Sequence, residues 1–195
     1  MNIINALAQE LNANEKYVEN VVQLLDEGNT IPFIARYRKE LHGAMDDTTL
    51  RTLEERLQYL RNLDERRESV KKSIAEQGKL TDELAAAIDS AKTLAEVEDL
   101  YRPYKQKRRT RATAAREKGL EPLAALLFAQ ERNCPRPEDA ARDFLSPEKG
   151  VDTVADALQG ASDIIAEQIS DDAVIRKALR DLLGRQGQLA SCAAT

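Results

Sequence analysis

The 195 residues are 42% hydrophobic, 32% charged and only 4% aromatic, an Ala-, Leu-, Glu-, Arg- and Lys-rich composition that favours helices and lacks the enrichment typical of strands. A formal net charge of −5 argues against a surface that coats nucleic acid throughout, and the length is enough to bury a core without metals or disulfides. Cys134 and Cys192 lack CxxC spacing, and there is no basic leader and no apolar run of about 18 residues, so a soluble, cytoplasmic, all-α chain with reduced thiols, no cofactor and no membrane contact is expected.

Ile3, Ile4, Leu7 and Leu11 recur at helical spacing, and Asn14 stands as an N-cap before Tyr17, Val18, Val21, Val22, Leu24 and Leu25, with Gly28 as the stop. Two short helices are predicted there. Thr30-Ile31-Pro32 starts a third, whose apolar face is read as Phe33, Ile34 and Tyr37. Residues 1–45 therefore read as a three-helix, helix-turn-helix-like bundle. From Asp46 to Gln77 neither Gly nor Pro interrupts the chain; Asp46 and Asp47 suit a helix N-terminus and Gly78 supplies a stop, so 46–78 is predicted as one long central helix. Its Leu50, Leu53, Leu57 and Leu60 follow heptad spacing, but Asp64, Arg67 and Lys71 then take the seam positions, which makes it a packed spine rather than an extended coiled coil. The Glu68 and Lys72 pair is read as part of its solvated face.

Residues 79–195 are expected to form a helical subdomain. Thr81 caps a helix carrying Leu84 and Ile88. Thr93 and Glu96 form a capping box before Val97, Leu100 and Tyr101, and Pro103 ends that helix. An apolar helix is predicted over Leu120 to Gln130, Pro135 and Pro137 break the chain, and Pro147 with Gly150 marks a turn. Val154, Leu158, Ile164, Ile165 and Ile169 predict a buried helix, followed by one capped near Ser170 that carries Val174, Ile175, Leu179, Leu182 and Leu183.

Charge is distributed unevenly. Residues 102–118 hold Arg102, Lys105, Lys107, Arg108, Arg109, Arg111, Arg116 and Lys118 against Glu117 alone, a local +7 that leaves −12 on the rest. Such a segment can neutralise several phosphates, with Tyr101 and Tyr104 beside it as stacking groups. The other role open to these cations is pairing with acidic faces elsewhere, to which planar guanidinium groups are equally suited. On the third helix, Arg36, Arg38 and Lys39 match the geometry of a major-groove reader, although Phe33, Ile34 and Tyr37 make the same helix a core element.

Gly184-Arg185-Gln186-Gly187 has the GxxG spacing of a KH loop but reads as a helix C-cap outside any α/β fold. Asp46-Asp47 and Asp171-Asp172 read as carboxylates at helix starts rather than metal pairs. His42, the sole histidine, is expected in a loop with no triad partners. No GxxxxGKS/T, GxGxxG, HExxH or GxSxG motif occurs, and no enzymatic activity is expected.

Three ordered blocks carry a family resemblance. Gly28-Asn29-Thr30-Ile31-Pro32-Phe33-Ile34-Ala35-Arg36-Tyr37-Arg38-Lys39-Glu40 resembles the signature near the start of the Tex family of bacterial transcription accessory proteins. Glu98-Asp99-Leu100-Tyr101-Arg102-Pro103-Tyr104-Lys105, continuing through Lys107 to Ala112 and Lys118 to Ala124, is similar to a second hallmark, and Ala157-Leu158-Gln159-Gly160-Ala161 with Asp163 to Glu167 to a third. The resemblance covers nearly the whole chain. It implies the N-terminal helical region of a longer protein that continues into a ribonuclease-H-like domain, a helix-hairpin-helix domain and an OB-fold RNA-binding domain. The family also resembles the core of a large eukaryotic elongation factor, which implies a place near RNA polymerase and nascent RNA. The expected function is a non-enzymatic scaffold in a factor that binds nucleic acid, mainly RNA, with weak phosphate contacts from residues 102–118. The alternative is a docking module for the transcription machinery or for the factor's own further domains.

Overall fold

The computed structural model describes residues 2–106 and 108–191. Among the described residues there are twelve α-helices, two short 3-10 turns and no strand; an isolated antiparallel bridge joins Ser146 and Val151. The chain divides into two compact units, one ending at Val97 and the other starting at Glu98.

The first unit opens with α1 (Ile3–Glu10), α2 (Glu15–Asp26), α3 (Ile31–Tyr37) and the single turn α4 (Lys39–His42). Asn2 and Asn14 each accept a backbone N–H at the start of α1 and α2, at 3.2 and 3.0 Å, satisfying donors that a helix start leaves open. Pro32 sits in the first turn of α3, where a missing N–H costs nothing. The buried face of α3 is Ile31 and Ile34, not the predicted set: Phe33 is half-buried and Tyr37 exposed on another face, because the three-residue step from Ile31 to Ile34 points at the core. His42 is likewise not in a loop. It ends α4, is buried, and has no hydrogen-bond partner for either ring nitrogen.

The spine is α5 (Asp47–Glu76), a 30-residue helix whose N-cap carboxylate, Asp46, accepts the Thr49 N–H at 2.8 Å. Its buried stripe runs Leu50, Leu53, Leu57, Leu60, Leu63, Arg67, Val70 and Ile74, averaging close to the heptad step. The stripe shifts by one residue at Leu63 and again at Val70. That shift moves Asp64 and Lys71 to its edge and leaves only Arg67 of the predicted seam charges inside. The Arg67 guanidinium donates to Asp64 at 2.9 Å and to the Ala91 carbonyl at 2.5 Å, tying α5 to the end of α6 (Asp82–Ser90). Lys71 adds Asp89 of α6 at 2.8 Å and Glu68 at 2.6 Å, so Glu68 pairs one residue earlier than its predicted partner Lys72. Bidentate pairs from Arg56 to Glu10 and from Arg61 to Asp26 hold the ends of α1 and α2 to the spine.

Thr93 starts α7 (Leu94–Tyr101) by accepting the Glu96 N–H at 3.2 Å, and the Glu96 carboxylate accepts the Lys92 N–H at 2.7 Å. In the second unit, α11 (Val154–Asp171) is the helix against which α8 (Arg111–Glu117), α9 (Glu121–Ala129) and α10 (Pro137–Arg142) pack. Ala112, Ala115, Leu120, Leu123, Ala140, Ala141, Ala157, Ala161 and Ile164 make its core, dominated by small side chains that let backbones approach closely. Gly160 belongs to this seam, for a methyl group there would lie 2.3 Å from Leu120 Cδ1.

The short helices α8 and α10 escape the sequence reading: Pro137 begins a helix instead of merely interrupting the chain. The last helix, α12 (Ala173–Gln186), is capped close after Ser170 by Asp172, whose carboxylate accepts the Ile175 N–H at 2.8 Å. None of its residues is buried, and Ile169 at the end of α11 is 40% exposed.

Two glycines separate backbone strain from crowding. Gly28 has φ +87° with open space around it, whereas Gly43 has φ +60° and faces the Tyr17 ring, 2.2 Å from where a β-carbon would stand. Gly28→Ala is expected to cost about 1 kcal/mol, from left-handed strain alone. Gly43→Ala should cost about 1–3 kcal/mol more, because the ring must move. Urea denaturation of both variants checks the order.

Candidate nucleic-acid interface

The basic segment is built by three successive chain breaks. Pro103 closes α7 into a 3-10 turn over Arg102–Tyr104, Lys105, Gln106, Arg108 and Arg109 lie outside regular structure, and Thr110 caps α8 by accepting the Thr113 N–H at 3.0 Å. The segment thus passes along one face of α11, where Asp163, Glu167 and Asp171 recur every four residues. Arg102 donates to Asp171 at 2.9 Å, Arg116 to Glu167 at 2.7 Å, and Arg111 stands 3.9 Å from Asp163. Thr110 also donates to Glu167, at 3.0 Å.

These pairs differ in strength. The side chains of Glu167 and Asp171 are only 15% and 12% exposed, so Arg116 and Arg102 neutralise carboxylates that have lost much of their water. Arg109, 72% exposed, pairs with Glu117 at 2.6 Å, and Arg111 is 86% exposed; such surface pairs are worth about 0–1 kcal/mol. Lys118 donates to the Gly150 carbonyl at 2.8 Å. Lys105 and Arg108 are exposed and make no ion pair among the described residues. Lys107 lies outside the described residues. Tyr101 and Tyr104 are half-buried, each with partners of its own. A cleft of about 610 Å³ lies beside the segment, lined by Pro103, Lys105, Thr113, Arg116, Glu167, Gln168, Asp171 and Asp172, with Lys105 as its unpaired cation.

A second cluster went unread in the sequence. Asp99 of α7 is buried and accepts hydrogen bonds from Arg176, at 2.6 Å, and from Arg180, one turn apart on α12. Burial opposes ionisation of Asp99, but the two arginines outweigh it and hold the carboxyl below its ordinary value of 3.8. The i,i+4 spacing of Arg176 and Arg180, like that of Asp163, Glu167 and Asp171, was the available signal. It marked faces without saying what each face meets.

Of the other candidates, Asp46 and Asp172 are N-caps and Asp171 is an arginine partner. Gly184, Arg185 and Gln186 continue α12, and Gly187 is its C-cap, bonded to the Leu183 carbonyl at 2.7 Å. No group of three or more His, Cys, Asp or Glu is placed to hold a metal among the described residues, and none of their helices is long and apolar enough to cross a membrane. Arg36 and Lys39 are exposed beside Tyr37, and Arg38 lies over the Phe33 ring.

Residues 1–75 match the model of the Tex-like protein N-terminal domain, and residues 133–195 match that of the Tex central region. The chain belongs to the Tex family. Protein YhgF of Escherichia coli is 51% identical over 185 residues, 95% of this chain and 24% of that protein. The transcriptional accessory protein Tex of Neisseria gonorrhoeae is 49% identical over 192 residues, 97% of this chain and 24% of that protein. An S1 RNA-binding domain-containing protein 1 of Pongo abelii is 33% identical over 172 residues, 87% of this chain and 17% of that protein. The chain thus spans about a quarter of the length of its bacterial relatives.

Two outcomes follow from the unequal pairs. Arg116→Glu should lower stability by about 1–3 kcal/mol by setting a like charge against the partly buried Glu167 carboxylate in place of its guanidinium partner, while Arg109→Glu should stay within about 0.5 kcal/mol of the parent in thermal melts. The Asp99 carboxyl, with its folded pKa lowered, contributes stability that is full above about pH 4 and lost as the pH falls through the folded value. Asp99→Asn should therefore speed amide exchange in α12 at neutral pH, with the difference from the parent shrinking as the solution is acidified below about pH 4.

Proposed function

We propose that this region is a non-enzymatic helical scaffold of a nucleic-acid-associated transcription accessory factor, and that its basic segment adds weak, sequence-independent phosphate contacts. The observation that carries this reading is the division of labour within the segment. Arg102 and Arg116 are committed to partly buried carboxylates, which fixes the path of the chain. Lys105 and Arg108 make no ion pair among the described residues, and Arg109 and Arg111 are only loosely held, on the exposed side. Cations presented on a fixed backbone bind phosphate by releasing condensed counterions, with no need to read bases. The names of the relatives support a setting in transcription and RNA contact, and RNA is the expected ligand.

A second reading, a docking module, is favoured by α12, where Val174, Leu179 and Leu183 are 77%, 53% and 66% exposed. Here the partner is the remainder of the longer factor, since the relatives are about four times the length of the matched region.

Fluorescence anisotropy with labelled single-stranded RNA and duplex DNA tests the first reading. The expected result is binding that weakens steeply with salt, and that weakens further in a Lys105→Glu, Arg108→Glu double variant with an unchanged melting temperature. Absence of binding at low salt would leave the docking reading.

A further inference from the structure

The first unit carries an aromatic and cationic patch that the basic segment does not include. Phe33, Arg36 and Tyr37 stand at i, i+3 and i+4 of α3, hence on one side, while Ile31 and Ile34 anchor the opposite side in the core. The Phe33 and Tyr37 rings lie 5.3 Å apart between centroids, tilted by 46°. The Arg38 guanidinium lies 5.3 Å from the Phe33 centroid, so Tyr37, Phe33 and Arg38 form a contiguous cluster with the two rings tilted against each other. Tyr37 is 57% exposed. Arg36 and Lys39 are exposed beside it and make no ion pair among the described residues, and Glu40 is the one acid between Thr30 and Glu40.

An exposed tyrosine alone is ordinary. An exposed tyrosine ring, held in place by a tilted neighbouring ring that a guanidinium packs against, and flanked by cations without an ion pair among the described residues, is an arrangement that accepts an unpaired base on the tyrosine face and the adjoining phosphates on its rim. The geometry points to α3 as a stacking platform for single-stranded nucleic acid, separate from the basic segment. Duplex is disfavoured because its bases are already stacked on both faces, and α3 is a seven-residue helix whose aromatic side chains occupy the face that would enter a groove. This inference rests on the proposed nucleic-acid association but uses residues that reading leaves idle.

The test uses the intact 195-residue chain and three probes: a labelled oligouridylate of about twelve nucleotides, an abasic oligonucleotide of equal length, and a polyglutamate peptide. Tyr37→Ala should weaken oligouridylate binding about 5- to 100-fold, Tyr37→Phe should retain it, and neither should change binding of the abasic strand. Arg36→Gln should weaken both strands, and circular dichroism melts should match the parent, since these side chains are exposed. The inference is overturned if Tyr37→Ala leaves oligouridylate affinity unchanged or weakens both strands equally. It is also overturned if polyglutamate binds in a Tyr37-dependent way as tightly as the oligonucleotide, which assigns the patch to an acidic peptide. If only the Lys105, Arg108 variant loses affinity, the platform fails and the proposed function stands; if no strand binds the parent, both fail.

Discussion

A helix as long as α5 must bury one stripe along its whole length, and α1, α2, α3 and α6 pack against it to cover that stripe. Its apolar positions repeat near the heptad step, so they drift slowly around the helix and present one seam to several short helices in turn. Isolated helices as short as α1 to α3 are marginal in water, and their order comes from packing on this seam, while α4 packs on α2 and α3. The seam also tolerates one charge. Arg67 is admitted because its guanidinium finds a carboxylate at its edge and a helix-terminal carbonyl opposite, which converts a buried cation into a tether for α6.

The second unit solves a related problem with different materials. Its core is rich in alanine, so α11 and its neighbours approach closely, and the energy per residue buried is correspondingly small. Charge pairing supplies specificity that bulky side chains do not. One edge of α11 carries carboxylates at every fourth residue, and the basic segment threads along them. The same cations thus serve two ends: the partly buried pairs fix the path, and the path exposes the remainder to solvent. A segment in which every arginine were free would be mobile, and one in which every arginine were paired would have nothing left to offer a phosphate.

Buried polar groups without partners mark the other extreme. His42 is buried with both ring nitrogens unsatisfied among the described residues, at the end of a helix closed by Gly43 against the Tyr17 ring. The turn into α5 is held by backbone and capping hydrogen bonds, Met45 N–H to the His42 carbonyl at 3.2 Å and Asn20 to the Leu41 carbonyl at 3.1 Å, with the imidazole contributing none. On α3, the neighbouring element, Tyr37 is left outside and Phe33 half-buried while the two isoleucines do the anchoring.

The sequence by itself determined the helical class, the long spine and most helix starts, because capping and periodicity act within one or two turns. Asn14, Asp46, Thr81 and Pro103 do locally what their chemistry predicts. The basic segment and the family blocks were equally plain, being contiguous. What only the tertiary structure decided is which face of each element meets which partner. Val174, Ile175 and Leu179 repeat like the residues of a buried helix yet are exposed, and Phe33 and Tyr37 have the same spacing as a core pair. Asp99 finds Arg176 and Arg180 across some eighty residues, and Arg102 finds Asp171 across nearly as many. No residue within a turn of these positions records such a meeting, because periodicity specifies that a face exists and packing alone specifies what covers it.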